Sequence, residues 1–154
     1  MKALFARLYR CVPVSLVRFV LRLAHTRFNV TAVGVFFDQQ GRVLVLHHVY
    51  RHHHPWGLPA GFINAGEAPE AGMLRELEEE TALSAKVTSA LSVTSLKRRH
   101  LEIALLGSID SGQTPSFNHE IFESAFVHTT NLPEDMPLDQ KELVGQAVSR
   151  FSPN

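Results

Sequence analysis

Short β-branched apolar runs and stripes of helical spacing divide the chain. The runs "NVTAVGVFF" (29–37) and "GRVLVLHHV" (41–49) flank Asp38-Gln39-Gln40-Gly41 and predict a hairpin with a turn-type glycine. A second pair, "AKVTSALSVTSL" (85–96) and "LEIALLGSI" (101–109), is joined by the basic turn Lys97-Arg98-Arg99-His100, and "FESAFVHTT" (122–130) predicts a further strand. Leu143, Val144, Ala147, Val148 and Phe151 form one helical stripe, with Asp139 and Glu142 at N-cap and N3 spacing ahead of it. After Pro13, Leu16, Val17, Phe19, Val20, Leu21 and Leu23 interleave with Arg18 and Arg22 and predict an amphipathic helix. Between these elements, "PWGLPAGFINAGE" reads as a strand end and a loop that feeds another helix. No repeat or linker interrupts the order. It predicts an N-terminal helical extension (1–26) ahead of one α/β domain (27–154).

Composition narrows the class. A chain of 154 residues with 45% apolar content is long enough for one domain with a real core. Cys11 is the single cysteine, so no internal disulfide forms and a reducing, cytoplasmic setting is expected. The balance of 15 basic and 15 acidic residues argues against binding to duplex nucleic acid. That balance hides an asymmetry, because residues 1–37 carry six basic residues and no acid. Arg18 and Arg22 break the apolar run of the first helix, which makes a secretory signal a poor fit and argues against a spanning segment. The helix then docks on its own domain, on a second subunit, or on an anionic membrane. A soluble homodimer in which it is packed is the reading we favour, with the membrane the lesser one.

The charge pattern carries the chemistry. Six acidic residues crowd into the fourteen positions from Glu67 to Glu80. Glu76, Glu79 and Glu80 stand at i, i+3 and i+4, which sets three carboxylates on one helical face, away from Leu74, Leu77 and Thr81. Such a cluster without a lysine suits a hard divalent cation, Mg²⁺ or Mn²⁺; the alternative is a solvated acidic face. Elsewhere, His47, His48, His52, His53 and His54 lead into Trp56. A zinc site there lacks a nearby cysteine or paired acid, and strand alternation turns only one of His47 and His48 inward. Trp56 either stacks on a base or packs under the sheet, and packing is preferred. Arg98 and Arg99 either clamp a distal phosphate or stay solvated in their turn.

Residues 61–83 resemble the Nudix hydrolase signature G-x5-E-x7-R-E-U-x-E-E-x-G-U, where U is aliphatic. Gly61, Glu67, Arg75, Glu76, Leu77, Glu79, Glu80 and Leu83 fill eight of its nine specified positions. The order of elements is similar to the family domain, an α/β/α sandwich around a mixed sheet. Ala82 departs from the family glycine just past the helix, where a left-handed conformation costs an L-residue roughly 1 kcal/mol.

The resemblance implies metal-dependent hydrolysis of a nucleoside diphosphate linked to another moiety. It implies Glu79 and Glu80 as ligands of Mg²⁺ or Mn²⁺, Glu76 as ligand or base, and the Ala60 carbonyl as a further ligand. Arg75 and Glu67 would pair to hold the loop on the helix; a solvated surface pair is the alternative. Several family members use one more carboxylate from a later loop, and Glu120 is favoured over Glu123 for that part. The expected substrate is a nucleoside diphosphate sugar or an ADP-ribose-like compound. An oxidised nucleoside triphosphate is the runner-up. The proline that marks many ADP-ribose pyrophosphatases is replaced here by Lys97. A nucleotide-sensing module without hydrolysis is the reading of another class, and it is disfavoured because every box carboxylate is kept.

Overall fold

The structure is a computed structural model that describes residues 13–24, 27–97 and 99–151. Cys11, Arg98 and the basic residues Lys2, Arg7 and Arg10 lie outside the described residues, as do the side chains of Arg22 and Leu23. In chain order the elements are α1 (Val14–Ala24), β1 (Asn29–Phe37), β2 (Val43–His48), β3 (Trp56–Gly57), β4 (Ala60–Phe62), α2 (Pro69–Thr81), β5 (Ala85–Leu96), β6 (His100–Ile109), β7 (Ile121–Val127) and α3 (Leu138–Val148).

The strands make one mixed sheet in the order β3-β2-β1-β6-β5, with β4 added to β1 and β7 to β2. Strand β1 runs parallel to β6 from Asn29 opposite His100 to Phe37 opposite Ser108. The expected turn at 38–41 forms: Asp38 N–H donates to the Arg42 carbonyl at 2.9 Å, and Gly41 has φ of 72°. The expected hairpin does not extend beyond it. Strands β1 and β2 meet only at Phe37 and Val43, because β2 gives its other edge to β7 and the segment 56–62 is wedged between the two. The second pair, β5 with β6, is antiparallel as expected and carries two register shifts.

Side chains of successive strand residues point to opposite faces, so both faces of the sheet need a cover. Ala32, Phe36, Leu44, Leu46 and Leu105 pack against Met73 and Leu77 of α2. Val33, Val35, Phe37, Val43, Val45 and Leu106 pack against Leu143, Val144 and Ala147 of α3. The result is the α/β/α sandwich. Helix α3 starts after Pro137 and not at an Asp139 cap: Pro137 occupies the N-cap without a side-chain bond, and Asp139 is already helical. Its apolar stripe holds as expected, and Phe151 stacks on Phe37 with ring centroids 4.3 Å apart.

Helix α1 forms where the sequence predicts it, but it does not cover its own domain. Leu16, Phe19 and Val20 are 51%, 58% and 53% exposed. No helix among the described residues is long and apolar enough to cross a membrane.

Candidate active site

Helix α2 brings the box residues to the sheet. It begins at Pro69, whose missing N–H and fixed φ suit the first turn, and Ala68 before it is extended. A Cβ on Gly61 would collide with Cγ and Cδ of Glu76, so glycine lets the helix lay that side chain across β4. Arg75 then ties loop to helix. Its Nε and one terminal nitrogen donate to the two oxygens of Glu67 at 2.9 and 3.1 Å, a bidentate pair. It also donates to Glu76 Oε1 at 2.8 Å and to the Phe62 carbonyl at 3.1 Å, and more distantly to Glu79 Oε2 at 3.4 Å. Glu67 further accepts from Asn64 N–H at 2.9 Å. The Arg75 bonds, with that of Asn64, hold the Glu67 carboxyl at about 2, and the same pairing raises Arg75.

The three carboxylates do not share one solvated face. Their side chains grade inward, from Glu79 at 58% exposed through Glu76 at 21%, to Glu80, a residue only 5% exposed. Oε2 of Glu80 is buried without a hydrogen-bond partner. Burial first, then the charge of Glu76, raises the Glu80 carboxyl to about 7; Glu120 and Glu79 push the same way and Arg51 opposes them. The Arg51 guanidinium is half-buried, and burial lowers it while Glu80 raises it. Gly57 makes room for it, since a Cβ there would lie 2.6 Å from an Arg51 terminal nitrogen. Among the described residues Arg51 has no carboxylate within ion-pair distance. His48 completes this buried end. Burial, helped by the charge of Arg51, lowers it to about 4, and its Nε2 has no partner.

The open edge of β4 lies beside these groups. Gly34 N–H donates to the Pro59 carbonyl and Ile63 N–H to the Val30 carbonyl, both at 2.9 Å. In an antiparallel ladder this makes Ala32 and Gly61 the bonded pair, so Ala60 and Phe62 turn their carbonyls away from β1. The Phe62 carbonyl takes Arg75, as described, and the Ala60 carbonyl faces the same open side. Glu120 stands one residue before β7, and its charge helps to raise Glu80, whereas Glu123 lies within β7, paired opposite His47.

Among the described residues, no three His, Cys, Asp or Glu side chains stand close enough to share an ion. Glu76 and Glu79 turn toward Arg75 instead. The donor set nevertheless fits a hard divalent cation, since it offers carboxylate oxygens, an outward carbonyl and the orphaned Glu80 Oε2.

The remaining candidates separate. His47 and His48 face opposite sides of the sheet. Trp56 packs against the α3-side core and meets His47 edge-on, with centroids 5.2 Å apart. His52, His53 and His54 are exposed, and the His54 ring contacts the Asp135 carbonyl at 2.6 Å. Arg99 is exposed in its turn with φ of 60°. The concave surface lined by Asp38, Gln40, Arg42 and Asp110 sits at the far end of β1, away from the box. Arg51 is the residue that sequence reasoning missed. It lies in the histidine-rich run, and only the fold turns it toward Glu80.

The chain is similar to known proteins. A family model described as NUDIX domain matches residues 27–147. An ADP-ribose pyrophosphatase of Methanocaldococcus jannaschii is 27% identical over 122 residues, 73% of this chain and 69% of that protein. An RNA pyrophosphohydrolase of Proteus mirabilis is 43% identical over 60 residues, which are 39% of this chain and 33% of that protein. In fold, the chain is similar to the crystal structure of a UDP-X diphosphatase, with a TM-score of 0.66 and 23% identity, over 90% of this chain and 72% of that one. The family match spans most of the chain and includes the whole acidic box, and the chain therefore belongs to the NUDIX-domain family, as a Nudix hydrolase.

Proposed function

We propose that this protein hydrolyses the diphosphate bond of a nucleoside diphosphate linked to another moiety, a nucleoside diphosphate sugar or an ADP-ribose-like compound. The observation that carries the reading is that the charges of Glu76, Glu79 and Glu120 converge on Glu80, one of whose oxygens is buried and unpartnered. Family members generally use divalent metal ions. Here Glu79 and Glu80 would hold Mg²⁺ or Mn²⁺, with Glu76 a ligand or base and the Ala60 carbonyl and Glu120 available as further ligands. Such an ion would supply charge neutralisation of the diphosphate and a more nucleophilic water. The chain's own groups do the rest. Arg75, gripped by Glu67, keeps the loop on the helix, and Gly61 lets Glu76 lie against β4. Glu120 would serve as the base that takes a proton from the water.

The similarity to an ADP-ribose pyrophosphatase and the fold of a UDP-X diphosphatase support this substrate class. The test is a panel of nucleotide sugars, ADP-ribose and oxidised triphosphates with Mg²⁺, scored for the phosphorylated products. Release of a nucleoside monophosphate from the diphosphate-linked compounds is expected. Turnover of triphosphates alone, with inorganic pyrophosphate released, would replace the reading.

The exposed apolar face of α1 supports a two-fold dimer in which that helix is covered. Sedimentation of the full chain should give twice the monomer mass, and deletion of 1–26 should disturb it. Binding of the full chain to anionic vesicles at physiological salt, lost on deletion, would favour a membrane surface instead.

A further inference from the structure

The opposite face of β4 carries a feature that the box chemistry leaves unused. Register sets Phe62 beside Thr31, Thr31 beside Glu102, and Glu102 beside Thr94, so these four form one cross-strand row. The row lies on the α3 side, because the parallel row through Ala60, Val33 and Ala104 belongs to the α3-side core. One step further out, the apolar cover ends. Phe62 is 62% exposed there, although it is a large ring on a strand.

The ring is backed and its surroundings are ordered. His100 lies behind Phe62 with centroids 6.4 Å apart and planes 29° from parallel. The Thr31 hydroxyl fixes His100 through a 2.7 Å contact with Nε2. Glu102 is half-buried beside them, and burial first, then the charge of Asp139 at the start of α3, raises its carboxyl.

Position gives the row its meaning. Two residues along a strand span about 7 Å. That is the separation between Ala60, whose carbonyl faces the open edge of β4, and Phe62. A diphosphate at the open β4 edge therefore leaves its attached nucleoside within reach of the exposed ring. An aromatic face accepts any base by stacking, while a carboxylate accepts hydrogen bonds from ring N–H and amino groups.

We infer that the Phe62 row is the nucleoside subsite, with Phe62 as the stacking platform, His100 as its backing and Glu102 as the acceptor for N–H donors of the base. The inference rests on the proposed function for the place of the diphosphate, yet its test does not need turnover. Calorimetry with Mg²⁺ measures the Kd of the four nucleoside monophosphates and of inorganic phosphate. The proteins compared are the full-length wild type, Phe62→Leu, Phe62→Trp and Glu102→Gln. Phe62→Leu should weaken every nucleotide about tenfold while leaving inorganic phosphate unchanged, and Phe62→Trp should restore them. Glu102→Gln should change the order of affinity among the four bases. On any hydrolysed substrate, Phe62→Leu should raise KM with kcat within about twofold. Nucleotide affinities unmoved by Phe62→Leu, or lost together with phosphate affinity, would overturn the subsite. An unchanged base order in Glu102→Gln would remove Glu102 from it. Absence of turnover on every panel substrate with these affinity changes intact would sink the proposed reaction and keep the subsite.

Discussion

The two ends of the site on α2 contrast. At the exposed end, Arg75 and Glu67 satisfy each other through two bonds, and the spare donors of Arg75 go to Glu76, Glu79 and a carbonyl. At the buried end, Glu80 and His48 each keep a polar atom without a partner, and Arg51 stands near Glu80 without closing an ion pair. Both ends are anchored on one short stretch of helix, through Arg75 and Glu80. Their difference teaches where stability and reactivity are divided. Satisfied groups hold the loop, and the unsatisfied buried ones come at a cost to the free protein, which fits the ligand site proposed above.

That division predicts unequal losses of turnover. Glu80→Gln or Glu79→Gln should lower kcat about a hundredfold or more with the fold intact, because each removes a carboxylate that, in the proposed function, would hold the divalent ion. Arg51→Ala should cost about tenfold, and Arg51→Lys should recover part of it, since a lysine restores the charge without the fork. Glu67→Gln should act chiefly on melting temperature. If Glu67→Gln lowers kcat as far as Glu80→Gln while melting at the wild-type temperature, the contrast between the ends is broken.

The ends should also answer pH with opposite signs. The Glu80 carboxyl is raised to about 7, so its proton is bound more tightly in the folded chain. Its contribution is fully present below the unfolded value and is lost as pH rises through 7. At pH 8 without metal, Glu80→Gln should therefore be the more stable protein, by on the order of 2 kcal/mol. Mg²⁺ should raise the melting temperature of the wild type and not of the variant. Glu67 is held at about 2, so its contribution is present above the unfolded value and is lost as pH falls toward 2. The melting gap between wild type and Glu67→Gln should close over that acid range. His48, lowered to about 4, destabilises on the same acid side as it is forced to charge, so each variant is compared with wild type at every pH. Chemical denaturation from pH 3 to 9 reads both. A Glu80→Gln variant less stable than wild type at pH 8 would mean that Glu80 is partnered in solution.

What could be read from the chain follows the distance over which each part is specified. The box is local: Gly61, Glu67, Arg75, Glu76, Glu79 and Glu80 lie within 20 residues, and helical spacing alone sets three carboxylates together. The gradation among them is tertiary. Glu80 points at the same core as Met73 and Leu77, and only the sheet decides that this side is buried. The β1–β2 hairpin stops at its turn for the same reason. Its turn chemistry is local and correct, but β1 takes its long partner from β6, about 70 residues away in the chain, and a wedge at 56–62 parts the strands. Arg51 and the Phe62 row depend on those distant pairings, so no spacing in the sequence announces them. Helix α3 shows a smaller failure of the same kind. Pro137, already suited by its fixed φ to a helix start, moves the first turn ahead of Asp139.

The smallest predicted effect tests whether the buried end carries backbone strain as well. Ala82, where the signature has glycine, adopts φ 55° and ψ 19°, and its N–H bonds to the Glu78 carbonyl at 2.8 Å. The chain thus takes the left-handed turn of the family without the residue that takes it freely. Thr81 before it and Leu83 after it are buried, while Ala82 is exposed, so removing its Cβ opens no cavity. Ala82→Gly relieves a left-handed penalty of about 1 to 2 kcal/mol, offset by the greater freedom that glycine returns to the unfolded chain. The net expectation is a gain of up to about 1 kcal/mol in denaturant unfolding with kcat unchanged. A lower midpoint for Ala82→Gly would show that residue 82 is helical in solution and that the helix runs on past Thr81. A gain accompanied by a fall in kcat would show instead that this turn helps to place Glu79 and Glu80, and the strain would then belong to the reactive end.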